Sequence, residues 1–256
     1  MNEVHIVTVG TSILRNSTQS SRLPQEIVEK VKRWALSPPG SPDDVEAGES
    51  GAPGRQEFQT LYDLLKLEPR KISAELNSMW PYLEKGLIER VELLASDSGA
   101  CEFCAKLLKK YLAEQGIKAE VHRITGLGRS FDEGLYNLLD QVSTLVKLHK
   151  TEEKRIYLNA TGGFKPETAV LYTAACILDA DRVYYIHEAM KDVVEVPALS
   201  LTIDPQYVDV VKKLKADVPI PEKVLKELEV KGLIIQYGKE YRLRRWVELL
   251  LRLKSI

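Results

Sequence analysis

Short apolar runs rich in Val, Ile, Leu and Tyr occur at residues 4–9, 90–95, 119–124, 155–159 and 182–186, separated by helix-length stretches. Residues 24–35, 102–115, 131–148 and 166–178 carry apolar positions at three- and four-residue spacing, the periodicity of a helix with one buried face. Strands alternating with helices predict a mainly parallel sheet in an α/β fold. Pro166 suits a first helical turn. Two more helical stretches, 58–67 and 70–83, precede the second strand and are expected to cover a sheet edge or a dimer surface, with Pro81 weakening the end of the second. Residues 37–54 are rich in Pro, Gly, Ser and acids and predict a mobile insertion. After a further strand at 193–199 the pattern changes. Helices at 205–215 and 221–230, a turn at Gly232, a hairpin of 233–237 with 240–243 around Gly238-Lys239 and a last helix read as a small winged-helix-like module. The expected division is therefore 1–203 and 204–256.

Composition narrows the classes. The 256 residues are 44% hydrophobic and 29% charged, and no apolar run approaches the ~18 residues of a membrane span. The N-terminus enters a strand without a basic, then apolar, leader, so a cytoplasmic protein with no membrane partner is expected. A net charge of -1 argues against a surface that coats nucleic acid. The segment from Gln206 onward differs, with twelve Lys and Arg against seven Asp and Glu, which leaves DNA binding or a solvated helix face as readings of that module. Three cysteines, Cys101, Cys104 and Cys176, form no paired framework and fit a reducing compartment.

In an open parallel sheet, ligands collect beyond the carboxyl ends of the strands. Four successive strand ends are rich in small and hydroxyl groups there: Gly10-Thr11-Ser12-Ile13-Leu14-Arg15-Asn16, Ser96-Asp97-Ser98-Gly99, Thr125-Gly126-Leu127-Gly128-Arg129-Ser130 and Ala160-Thr161-Gly162-Gly163-Phe164-Lys165-Pro166. The fourth reads as a phosphate cradle: two glycines permit close backbone approach, Lys165 adds a cation, and a helix opening at Pro166 adds a partial positive charge. The Walker A spacing is missing, because Phe164 separates Gly163 from Lys165 and Pro166 follows, so ordinary nucleotide-triphosphate hydrolysis is not supported. Neither Gly10 nor Gly126-Leu127-Gly128 begins the fingerprint of a dinucleotide dehydrogenase.

A first strand ending in Gly10-Thr11-Ser12 with Asn16 nearby, and a fourth running Leu158-Asn159-Ala160-Thr161-Gly162-Gly163-Phe164-Lys165-Pro166-Glu167, resemble the two signature loops of the CRISPR-associated CARF domains, the pattern extending over roughly residues 1–199. The resemblance implies a Rossmann-like domain that forms a homodimer and binds a cyclic oligoadenylate across the two-fold axis. With only a small trailing module, the chain is similar to stand-alone ring nucleases that degrade cyclic tetra-adenylate and end a type III CRISPR signal. Cleavage there needs no cofactor and no metal if the pocket holds an RNA 2′-hydroxyl in line with its own phosphate. On that reading Ser12 and Lys165 are catalytic: Lys165 stabilises the charge on phosphorus or the leaving oxygen, and Ser12 bonds the scissile phosphate or orients the 2′-hydroxyl. Arg129 clamps a phosphate unless it pairs with Asp132 or Glu133. Expected ligand contacts are Gly10, Thr11, Asn16, Asp97, Ser98, Arg129, Ser130, Thr161, Gly162, Gly163 and Phe164. The alternative is a non-catalytic sensor of the same ring that binds DNA through its C-terminal module.

Other constellations are weaker. Cys101-Glu102-Phe103-Cys104 falls at a helix start, where a redox pair would sit, but two apolar residues on one face also read as core. No second pair completes a zinc site. His5 and His122 lie in strands as structural residues, and His149 reads as an exposed helix end. Arg182 and His187 have the spacing of a helical ribonuclease motif but fall on a strand, where His187 and Glu188 would border the pocket.

Overall fold

All seven residues of β1 (Glu3–Val9) are buried, as befits a strand covered on both faces. The computed structural model describes residues 3–163, 165–186, 192–202, 204–238 and 240–253, excluding the side chains of Lys165 and Trp246. The chain runs from β1 through α1 (Ser12–Ser17), α2 (Gln25–Leu36), α3 (Pro42–Ser50), α4 (Gln56–Leu67), α5 (Pro69–Ile72) and α6 (Ala74–Leu83) to β2 (Ile88–Ala95). It continues through α7 (Gly99–Glu114), β3 (Lys118–Arg123), α8 (Phe131–Thr151), β4 (Arg155–Asn159), α9 (Lys165–Leu178), β5 (Arg182–Ile186) and β6 (Val193–Val196). The C-terminal part is α10 (Pro205–Lys215), α11 (Glu222–Val230), the hairpin β7 (Ile234–Tyr237) and β8 (Glu240–Leu243), and α12 (Arg245–Leu253).

The sheet order is β3-β2-β1-β4-β5-β6, parallel except for the last pair. The chain moves outward from β1 to β3, then returns to the other side of β1 with β4. The order of successive strands reverses between β1 and β4, the place where open α/β sheets leave a crevice. Helices before β3 supply one core with residues such as Trp34, Tyr62, Leu76 and Phe103. On the other face, α8, α9 and α12 supply a second, including Leu138, Val142, Ala174 and Leu249. The α/β class and parallel sheet are thus as expected. Among the described residues no helix is long and apolar enough to cross a membrane.

Three expectations need correction. Residues 37–54 contain α3, docked on α7, where the loop composition predicts mobility. Asp44 holds it there: its buried carboxylate accepts from Ser98 Oγ at 2.7 Å, Ala100 N at 3.0 Å and Gly40 N at 2.7 Å. A Cβ at Gly99 would collide with the backbone oxygen of Asp44, so this approach needs a glycine. The stretch 70–83 is two helices, because the Ser73 hydroxyl caps a new start by accepting from Leu76 N; α6 lies on a sheet face against β1, β4 and β5. His149 is only 1% exposed, because Glu92 draws it inward.

Glu92 lies on the α8 face of β2, bonded to His122 Nε2 at 2.7 Å, His149 Nε2 at 3.0 Å and the Arg90 guanidinium. Burial alone would raise its pKa; the His122, Arg90 and His149 bonds outweigh that and hold it at about 2. The C-terminal helices and hairpin follow the expected order, and the module contacts the rest of the chain. Leu249 and Leu253 of α12 enter the second core, Arg244 pairs with Asp132 at 3.0 Å, and Arg245 stacks on Tyr136.

Two outcomes follow from these buried carboxylates. Gly99→Ala should force α3 off α7, so that proteases cut within residues 42–50 while the unaltered protein resists; limited proteolysis with mass spectrometry reads this, and equal cutting in both would refute the docking. For Glu92 the folded pKa lies below the unfolded value of 4.5, so its contribution is present above pH 4.5 and is lost as pH falls toward about 2. That contribution is about 3 kcal/mol at neutral pH. Urea denaturation across pH should show Glu92→Gln less stable than the parent at neutral pH, with the difference shrinking on acidification.

Candidate functional site

The carboxyl ends of β1 and β4 meet backbone to backbone. Thr8 Oγ1, at the end of β1, donates to Gly162 O at 2.7 Å and lies 3.2 Å from Asn159 O. A Cβ at Gly162 would stand 2.5 Å from Thr8 O and 2.7 Å from Gly10 N, so only glycine lets the loops approach this closely. Asn159 fixes the second loop. Its side-chain oxygen accepts from Thr161 N at 3.1 Å and Thr161 Oγ1 at 2.6 Å, and its amide donates to Ser78 Oγ at 2.7 Å.

Between the loops lies a crevice of about 370 Å3. Gly10, Thr11, Ser12, Asn16, Thr161, Gly162 and Gly163 all line it, so the structure brings these expected residues together. Asn16 also ties the first loop to α5 by donating to Ile72 O at 3.1 Å. Arg129 and Ser130 line an adjoining cavity of about 360 Å3 that shares Leu127 and Glu167 with the crevice. Arg129 does not pair with Asp132 or Glu133; its Nε donates to Asp97 O at 2.8 Å and lies 3.6 Å from the Asp97 carboxylate. Two expected contacts are turned to other work. Asp97 braces the third loop by accepting from Gly126 N at 3.1 Å and Arg123 Nε at 3.0 Å. Ser98 is buried, capping α7 and donating to Asp44. Phe164, the side chain of Lys165, His187 and Glu188 lie outside the described residues.

The residue that sequence reading missed is Glu75, the second residue of α6. It is 1% exposed, and its carboxylate accepts from Gly10 N at 2.9 Å, Ser12 Oγ at 2.6 Å and Ser73 Oγ at 2.9 Å. Ser12 Oγ also accepts from Ala74 N at 3.1 Å. With its proton on Glu75 and one lone pair on Ala74, the Ser12 hydroxyl keeps one acceptor position. Arg15 was also missed; it is exposed on the crevice wall and has no ion pair among the described residues. Nothing local marks Glu75 in the sequence, since its partners at Gly10 and Ser12 are more than sixty residues away.

The thiols belong to the core. Cys101 and Cys104 are buried, and Cys101 Sγ donates to Val9 O at 2.7 Å. Burial pushes the Cys101 thiol up to about 11 and that of Cys104 well above its ordinary value, so neither is a ready thiolate. Among the described residues no cluster of His, Cys, Asp and Glu is arranged to hold a metal ion.

Gly162→Ala should lower stability by about 1–3 kcal/mol, the range for an overpacked methyl group. Thermal unfolding reads it; an unchanged midpoint would mean that the β1 and β4 loops are not pressed together.

One comparison bears on what this crevice serves. A family model described as CRISPR-associated protein (Cas_APE2256) matches residues 70–199, just over half of the chain. The match takes in Glu75 and the β4 loop, whereas Gly10 and Ser12 precede it.

Proposed function

Because the chain belongs to this CRISPR-associated family, we propose that its crevice binds cyclic tetra-adenylate and cleaves it as a ring nuclease, ending a type III CRISPR signal. The observation that carries the reading is the meeting of the Gly10-Thr11-Ser12 loop with the Thr161-Gly162-Gly163 loop at the point where strand order reverses. A cavity of about 370 Å3 is at the low end of the range for a drug-sized ligand, about 300–1,000 Å3. It therefore takes part of a four-nucleotide ring, and a second protomer takes the rest across a two-fold axis.

Cleavage forms a bond between a 2′-oxygen and the neighbouring phosphorus and breaks the bond from phosphorus to the 5′-oxygen. The products end in a 2′,3′-cyclic phosphate and a 5′-hydroxyl. Holding the 2′-oxygen in line supplies much of the rate, and cations oppose the charge that builds on the phosphate oxygens. Arg15, from its place on the wall, contacts a phosphate, and Lys165 stabilises the charge on phosphorus or the leaving oxygen, a role assigned from its sequence position at the start of α9. Of the two roles open to Ser12, orienting the 2′-hydroxyl fits better, because its own proton is committed to Glu75.

A second reading is a sensor of the same ring that binds DNA. The observation favouring it is that α8 starts beside the third loop and carries α12 through Asp132 and Tyr136, linking the ligand end of the sheet to the basic module.

Incubating the purified protein with labelled cyclic tetra-adenylate in EDTA, followed by chromatography, is expected to give linear products with 2′,3′-cyclic phosphate ends. Lys165→Ala should slow this at least about 100-fold, the scale of losing one charge-stabilising group. An intact ring in a stable complex would favour the sensor, and absence of binding would refute both readings.

A further inference from the structure

A buried carboxylate beside an anion-binding crevice needs a reason, since its charge opposes the phosphate it adjoins. Glu75 stands in the crevice wall but is only 1% exposed, so the Ser12 hydroxyl is the more accessible of the two groups. Ser12 is partly exposed and stands between the crevice and the carboxylate, with Oγ 2.6 Å from Glu75 Oε2. The donors around Glu75, Gly10 N and the two serine hydroxyls, include no cation. Its negative charge therefore acts on Ser12, drawing the hydroxyl proton toward itself and making Oγ a better acceptor for a proton from the crevice side. Ala74 N holds Oγ from a second direction at 3.1 Å, which fixes where the remaining lone pair points.

We propose that Glu75 is a positioning residue that receives, through Ser12, the proton of the attacking 2′-hydroxyl. This rests on the reading of the crevice as a ring-cleaving site. As the 2′-oxygen bonds to phosphorus, its proton passes to Ser12 Oγ while the Ser12 proton passes to Glu75 Oε2. The 5′-oxygen leaves and takes a proton from water. After product release Glu75 returns its proton to water by the same path, so the cycle has no net proton change.

The test compares ring binding with single-turnover cleavage. Glu75→Gln keeps the size but replaces one of the two acceptor oxygens with an amide donor and removes the proton sink. The dissociation constant should stay within about three-fold of the parent, while the rate constant falls about 100-fold, the lower end of what a general base contributes. The double variant with Ser12→Ala should be no slower than Ser12→Ala alone, because both substitutions interrupt one path. A Glu75→Gln protein that cleaves at the parental rate, or losses that multiply in the double variant, would overturn the proposal while the parent's own cleavage leaves the ring-nuclease reading standing. If the parent binds the ring without cutting it, that reading fails and the role of Glu75 falls with it. Should Glu75→Gln lose its thermal unfolding transition, Glu75→Asp serves instead: the shortened carboxylate is expected to bind normally and cleave more slowly, and an undiminished rate refutes the proposal.

Discussion

The crevice depends on one close approach, that of the β4 loop to the end of β1 at Gly162. β1 is hydrogen-bonded to β2 on one side and β4 on the other, and the strand order reverses there. An α/β sheet of this order leaves an opening at the strand ends, but topology does not set its width. Here the width is set by backbone contact, with Thr8 bonded across to Gly162 O and no room for a Cβ between the loops. The two loops consequently meet at this contact, each continuing its own strand.

Buried carboxylates fix the parts that topology leaves free. Glu75 ties α6 to the β1 loop, Asp44 ties α3 to the start of α7, and Glu92 ties β2 to β3 and α8. Each lies at 1% exposure and takes its donors from more than one segment of chain. A charge withdrawn from water is tolerated only when such donors surround it, and removing one leaves the rest exposed to the full cost of desolvation. These contacts specify position as well as contributing to stability. The carboxylate of Glu75, held by Gly10 N, Ser12 and Ser73, fixes the start of α6 against the β1 loop.

The same distinction explains what the sequence made legible. Strands and helices with local periodicity, such as 155–159, 182–186 and 131–151, lie within a few residues of expectation because burial of one or both faces is written into the pattern. The loops at Gly10 and Gly162 were found because glycine and hydroxyl residues mark strand ends in an α/β sheet. Glu75 was not, because a glutamate near the start of a helix resembles many surface glutamates until the chain folds Ser12 against it. Residues 37–54 misled for the opposite reason: their proline and glycine content signals a loop, while the anchor is the long-range contact of Asp44 with Ser98 and Ala100. His149 followed the same course, its burial decided by Glu92 on a distant strand.

The two walls of the crevice also differ chemically. On the β1 side the hydroxyl of Ser12 gives its proton to a carboxylate and faces the opening as an acceptor. Arg15 adds a full positive charge on that same side, and across from it the β4 loop leads directly into α9, whose N-terminal partial charge stands beside the Glu167 carboxylate. The β1 side thus offers both an acceptor, at Ser12, and a full positive charge, at Arg15, three residues apart on α1. On the proposed reading, a ribose 2′-hydroxyl and its own 3′-phosphate, a few ångströms apart, would meet that acceptor and that cation together, which an isolated phosphate would not.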